Sequence, residues 1–242
     1  MQTSSATIVV TDSGLGGLST AAHLVHRLRE EKPLSQARVI YFNAHAASGF
    51  GYNELGAGPR QIQLFDRALE AAGRQDSADH ILVACNTLSV LIDQTPYAQS
   101  HPTQVVGIVD AGVEAMLAYW ERYPDAGLLI FGTPTTIGSG VYQRRLLAAG
   151  ISEEQFHPIA CPVLHGLIER GPDEEVIYRT IREHIGKGLP HLNAAFRERV
   201  GVSLNCTHYG YAKPAFQEGL QQNGISLGKV ISPNASMVSF LF

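Results

Sequence analysis

The chain has 242 residues, of which 45% are hydrophobic and 17% charged, and a formal net charge of −4. That is enough apolar material for one large core or two compact lobes and excludes a disordered chain. The acidic balance and the lack of a lysine-arginine cluster argue against a nucleic-acid partner, and no apolar run approaches the roughly 18 to 20 residues that span a bilayer.

In chain order, ATIVVTD reads as a strand, LSTAAHLVHRLREE as a helix, ARVIYFNA as a strand, IQLFDRALEAAG as a helix and HILVACN as a strand. TQVVGIVDAG, AGLLIFGT, QFHPIACPV and RVGVSLNC continue the strand series. Short β-branched runs alternating with helical patterns predict βαβ units, hence parallel sheets covered by helices. The N-terminal MQTSSATIVVTDSG carries no signal-peptide pattern, so a cytoplasmic location is expected.

The second half repeats the first. IVVTDSGLGG corresponds to LLIFGTPTTIGSG, VIYFNA to FHPIACP and ILVACNTLSV to VSLNCTHYGY. Asp12 precedes Cys85 by the same number of positions as Thr133 precedes Cys206, so the correspondence keeps its register. Three matches in order predict a duplication: two pseudo-symmetric α/β lobes, each a mainly parallel sheet flanked by helices, with the active site in the cleft between them. The expected boundaries are residues 1–104 plus 209–242 for the first lobe and 105–208 for the second. Ligands of open α/β sheets bind beyond the carboxyl ends of strands, where Cys85 and Cys206 both fall.

The three cysteines are odd in number and widely spaced, which suits neither a disulfide framework nor a CxxC metal site. Two thiols flanking one carbon permit a different chemistry. One removes a proton from one face of the carbon, the other returns a proton to the opposite face, and the stereocentre inverts. A thiol near its ordinary pKa of about 8.5 needs help to act as a base at neutral pH. His208 is the natural partner of Cys206, and Asp12, at the end of the first strand, is the candidate partner of Cys85. Ser13, Asn86, Thr87 and Thr207 are small polar groups that could hold a carboxylate and an ammonium without a permanent charge. The glycines of DSGLGGLS free backbone N–H groups at a strand-to-helix turn, a favourable place for an anion. Lys32, Lys187, Lys213 and Lys229 sit at helix ends or turns, which argues against a Schiff-base cofactor, and the histidines are scattered; no cofactor and no metal are expected.

Plainer roles fit other residues. Cys161 reads as core, His45 and His165 as surface or core, Asp110 and Glu169 as solvated carboxylates, and Thr135 and Thr136 as turn or cap residues. Asp12 could instead cap the following helix.

IVVTDSGLGGLS, VACNTLSV, VVGIVDAG, GTPTTIGSGVYQ, ACPVLHGLIERG and LNCTHYGY together resemble, in order, the motifs of glutamate racemases in the aspartate/glutamate racemase superfamily. The resemblance runs from about residue 7 to about residue 235. It implies cofactor-independent proton transfer on glutamate by Cys85 and Cys206, assisted by Asp12 and His208, to supply D-glutamate for peptidoglycan. It also implies that Phe50 and Gly51 border the substrate. Phe50 stands where the family pattern has tyrosine, Gly49 where it has proline, Ala44 where it has aspartate, and THYGY departs from Thr-His-Tyr-Pro. Alternatives are a racemase or isomerase of aspartate, a hydantoin or another small α-carboxylate, a non-catalytic amino-acid-binding homologue, and a one-thiol cysteine hydrolase. A homodimer burying one lobe's surface is a plausible assembly.

Overall fold

The structure, a computed structural model, describes residues 5–46, 51–56 and 58–241. Phe50 and Gly49 lie outside these residues. The chain divides into two compact units, residues 1–109 with 234–242 and residues 110–233.

In the first unit, β1 (Ser5–Asp12) leads to α1 (Leu18–Glu31), β2 (Gln36–Asn43), α2 (Pro59–Gly73), β3 (His80–Val83), the short helices α3 (Asn86–Ser89) and α4 (Pro96–Ser100), and β4 (Val105–Gly107). All pairings are parallel, in the order β2-β1-β3-β4. The β-branched Ile8, Val9 and Val10 make β1 a good strand, and from Ile8 to Asp12 it is wholly buried, as a central strand covered on both faces should be. Proline at the first position of α2 starts that helix without losing a hydrogen bond. Gln61, Phe65, Leu69 and Ala72 then recur at helical spacing and form its buried face.

The second unit takes in α5 (Val109–Arg122) from its second residue on, β5 (Gly127–Gly132), α6 (Pro134–Gly138), α7 (Val141–Ala148), β6 (Phe156–Ala160), α8 (Leu164–Arg170), α9 (Glu175–Gly188), β7 (Val200–Asn205), α10 (Lys213–Gln222) and β8 (Lys229–Ile231). Its sheet is again parallel, in the equivalent order β6-β5-β7-β8. The shared order gives the duplication read from the sequence a structural counterpart. Ile177, Ile181 and Ile185 form the buried stripe of α9, which packs against α10 and the apolar face of β7. Gly219 is needed there, because a Cβ at that position would lie 2.9 Å from Ile185 Cδ1.

The unit boundaries correct the expected ones in two places. Residues 105–109 stay with the first unit because β4 pairs with β3. Residues 209–233, expected in the first lobe, belong to the second, because α10 packs on α9 and β8, a strand too short to stand out in the sequence, pairs with β7. Only the last stretch returns to the first unit, where Arg27 Nη1 donates to Ser239 Oγ at 3.2 Å. Among the described residues no helix is long and apolar enough to cross a membrane.

Candidate active site

In the first unit, the carboxyl ends of β1 and β3 lie side by side, with Ala84 N–H donating to Thr11 O at 2.9 Å. This brings the turn after β1 to the turn after β3. Asp12 is fully buried and accepts a hydrogen bond from Gly14 N–H at 2.9 Å. Ser13 Oγ stands 3.2 Å from Cys85 Sγ, with either able to donate. Cys85 opens α3, and Asn86 and Thr87 beside it are buried. Burial, and after it the Asp12 charge, push the Cys85 thiol up to about 11, while hydrogen bonds from Ser13 and the Leu88 backbone pull the other way. Burial first and the Asp12 charge second thus favour the protonated thiol, so Asp12 by itself does not activate Cys85 as a base.

The turn is pinned from both sides. Tyr41 Oη donates to Gly14 O at 2.6 Å, and His45 Nδ1 lies 3.2 Å from Ser13 O, which makes Nδ1 the protonated nitrogen. Gly17 permits the close approach: a Cβ there would fall 2.8 Å from Asp12 Cβ and 3.2 Å from Ala84 Cβ. Its φ of −72° suits any residue, so the constraint is space alone. Gly17→Ala is expected to cost about 1–3 kcal/mol by overpacking and to displace Asp12, lowering turnover beyond what the stability loss explains. A thermal melt beside an activity assay separates the two effects.

In the second unit, Cys206 follows β7 directly and is buried, as are Thr207 and His208. Cys206 Sγ lies 3.9 Å from His208 Nδ1, a weak sulfur contact. On the far side of the ring, His208 Nε2 is 3.3 Å from Glu169 Oε2 of α8. The distance is that of an ion pair, without a hydrogen bond at Nε2. Cys206, His208 and Glu169 thus form a line able to draw a proton off the thiol. The carboxylate is 38% exposed, so solvent screens its charge.

Cys161 lies apart from this line. It is buried, its thiol is pushed up to about 12 by burial, and its carbonyl accepts from Tyr209 Oη at 3.4 Å. The expectation that it is a core residue holds. Among the described residues no three His, Cys, Asp or Glu side chains gather as a metal set would.

The profile of the family described as Asp/Glu/Hydantoin racemase matches residues 8–230 of this chain. That span is nearly the whole sequence and takes in every site residue above. The chain belongs to this family. It is an isomerase, of the racemase type that its relatives are named for. The glutamate racemase of Syntrophus aciditrophicus (strain SB) is 28% identical over 213 residues, covering 87% of this chain and 71% of that protein. The crystal structure of a glutamate racemase isoform from Bacillus anthracis superposes with a TM-score of 0.72 at 21% identity, covering 98% of this chain and 80% of that one. A Francisella tularensis glutamate racemase, solved in complex with D-glutamate, superposes with a TM-score of 0.69 at 20% identity, covering 98% and 79%. Likeness at these identities shows the shared fold.

One residue beside the Cys206 turn has a plainer default in the sequence, where a place lining the cleft is only its alternative. Glu169 reads as an ordinary solvated carboxylate on a helix, and only the placement of α8 beside the turn after β7 brings it to His208. Tyr52 lies two residues beyond the Phe50 that replaces the family's tyrosine. It is buried, and its phenol is raised well above its ordinary range by burial first and the Cys85 charge second. Gly51 begins this segment and is half-buried.

Proposed function

We propose that the chain is a cofactor-independent racemase interconverting L- and D-glutamate, with Cys85 and Cys206 serving opposite faces of the α-carbon. The observation that carries this reading is the matched pair of thiols. Each is buried beyond the carboxyl end of the equivalent strand of its own sheet, and each has its own polar partners. The substrate assignment rests on the glutamate racemases among its relatives, and a supply of D-glutamate for peptidoglycan is the role that goes with it.

The steps follow from the two environments. His208 Nδ1 takes the Cys206 proton, and Glu169 offsets the charge of the imidazolium that forms. The Cys206 thiolate then removes the Cα proton from one face. Cys85, kept as a thiol by burial and by Asp12, gives its proton to the other face. One proton is taken and one is given, leaving Cys206 protonated and Cys85 as thiolate. In the reverse direction Cys85 must be the base, and the charge on Asp12 opposes that. A substrate ammonium beside Asp12 would neutralise the opposition, so the thiolate becomes accessible only with substrate bound. Ser13, Asn86, Thr87 and Thr207 are the proposed holders of the carboxylate and ammonium, with Gly51 a further proposed substrate neighbour; Phe50 lies outside the described residues. The family description also names aspartate and hydantoin, so those substrates form the second reading.

Proton NMR of L- and D-glutamate incubated with the protein in deuterated water tests the proposal, with aspartate alongside. Loss of the Cα proton signal together with decay of optical rotation from either enantiomer is the expected result. Exchange without inversion would refute a two-thiol mechanism. Inversion of aspartate but not glutamate would transfer the assignment to the second reading.

A further inference from the structure

Gln61, Phe65, Leu69 and Ala72 set the buried face of α2, which leaves a second face of that helix turned outward. Arg60, Gln63, Leu64 and Arg67 recur along it at steps of three, one and three, the spacing of one helical face. They line one wall of a cavity of about 540 Å³, and Ala46, Glu54 and Leu55 line the other. Small-molecule sites commonly occupy roughly 300–1,000 Å³. Among the described residues neither Ser13 nor Cys85 borders this cavity.

We infer that the cavity is a binding site for a small organic dianion, a phosphate ester or a dicarboxylate, held between Arg60 and Arg67. Both guanidiniums are exposed, and among the described residues neither has a hydrogen-bond or ion-pair partner. Arg27, Arg38, Arg74 and Arg145, by contrast, each pair with a carboxylate. The acids nearest in sequence to Arg67 are already engaged: Asp66 accepts the Tyr97 N–H at 2.7 Å, and Glu70 pairs with Arg74.

The position of Arg60 adds a second sign. It stands in the first turn of a 15-residue helix that has no acidic residue in that turn. A cation there opposes the positive end of the helix dipole, which favours anions instead. An anion in the cavity would be attracted by the guanidinium and by the helix end together, so the arrangement that is unfavourable in the empty protein becomes favourable in the filled one. A local rule broken without compensation inside the chain is the mark of a functional site.

The donors also fit the ligand class. Each arginine offers a planar fork that matches two oxygens of a carboxylate or phosphate. Seven helical positions span about 10 Å along the axis, so the two forks approach from opposite ends and suit a ligand with separated charges better than a single small ion. Gln63 places a neutral amide between them, and the half-buried Leu55 and Leu64 offer apolar surface to a carbon skeleton. Glu54 is turned toward Gly51, where an added Cβ would come within 2.6 Å of its Oε2, and it pairs with neither arginine. The site goes beyond the racemase reading and stands whichever substrate the thiols serve.

The test is isothermal titration calorimetry on the full-length protein at low ionic strength, with inorganic pyrophosphate and, separately, with glutarate, a dicarboxylate that lacks an ammonium group. Wild type is compared with the double variant Arg60→Gln/Arg67→Gln. Both side chains are exposed and unpaired, so the variant should melt as wild type does. Wild type is expected to bind at least one probe saturably, with affinity falling about tenfold or more in the double variant and falling also with added salt. Tighter binding of pyrophosphate would name a phosphate ester as the ligand class, and tighter binding of glutarate a dicarboxylate. Binding of neither probe, or binding that the double variant leaves unchanged, would overturn the inference.

Discussion

Replacing either Cys85 or Cys206 by serine is expected to lower inversion of glutamate by about 10³-fold or more, from both enantiomers. A serine hydroxyl keeps the size and hydrogen bonds of the thiol but is far too weakly acidic to alternate between base and acid. Ser13 would still meet a hydroxyl at position 85, and His208 one at position 206, so the fold should survive. Cys161→Ser is the control. That thiol is buried and its polar neighbour is Tyr209, with neither Ser13 nor His208 as its hydrogen-bond partner among the described residues, so near-wild-type turnover is expected, with any loss confined to stability. Polarimetry on the three variants decides the matter. A protein dependent on only one of the two thiols would be a one-nucleophile enzyme, and one indifferent to both would have another chemistry altogether.

Asp12→Asn should act on two observables in opposite directions. Asparagine can still accept the Gly14 N–H, so the turn is kept. The negative charge that helps hold Cys85 protonated disappears, and the thiol moves down from about 11. Alkylation of Cys85 by iodoacetamide, followed by mass spectrometry near pH 8, should therefore become faster than in wild type. Racemisation should become slower, by about 10²-fold or more, because the group that would meet the substrate ammonium is gone. The sign follows from the thiol's direction of shift: wild-type Cys85 stays neutral until the pH nears its raised value, whereas the variant ionises earlier. A fall in both observables would mean that Asp12 is only a structural cap.

Much of this was legible in the chain itself, for reasons that differ by element. The alternation of IVV, VIYF and ILVA runs with amphipathic helices could hardly fold otherwise than as parallel sheets, because strands buried on both faces need uninterrupted apolar runs. The duplicated spacing marked Cys85 and Cys206 together when either alone would pass for core. The misplaced lobe boundary had a physical origin: β8 is three residues long, and its pairing with β7 is a tertiary choice that leaves no local pattern. Glu169 kept a solvated carboxylate as its default for a related reason. Its place on a helix tells which residues share its face, but not what that face meets.

The two halves share a strand order yet surround their thiols differently, a carboxylate and a hydroxyl on one side and an imidazole backed by a carboxylate on the other. For an enzyme that interconverts mirror images this inequality meets a thermodynamic limit. Enantiomers have equal free energies in water, so kcat/KM must be the same for both at every pH, however unlike the two bases are. The asymmetry can surface only in how that shared ratio is divided: the enantiomer that must meet the enzyme in its less comfortable protonation state should have both the higher kcat and the higher KM. Which enantiomer does so, and how the division drifts with pH, would report the relative ease of charging Cys85 and Cys206 inside a working enzyme.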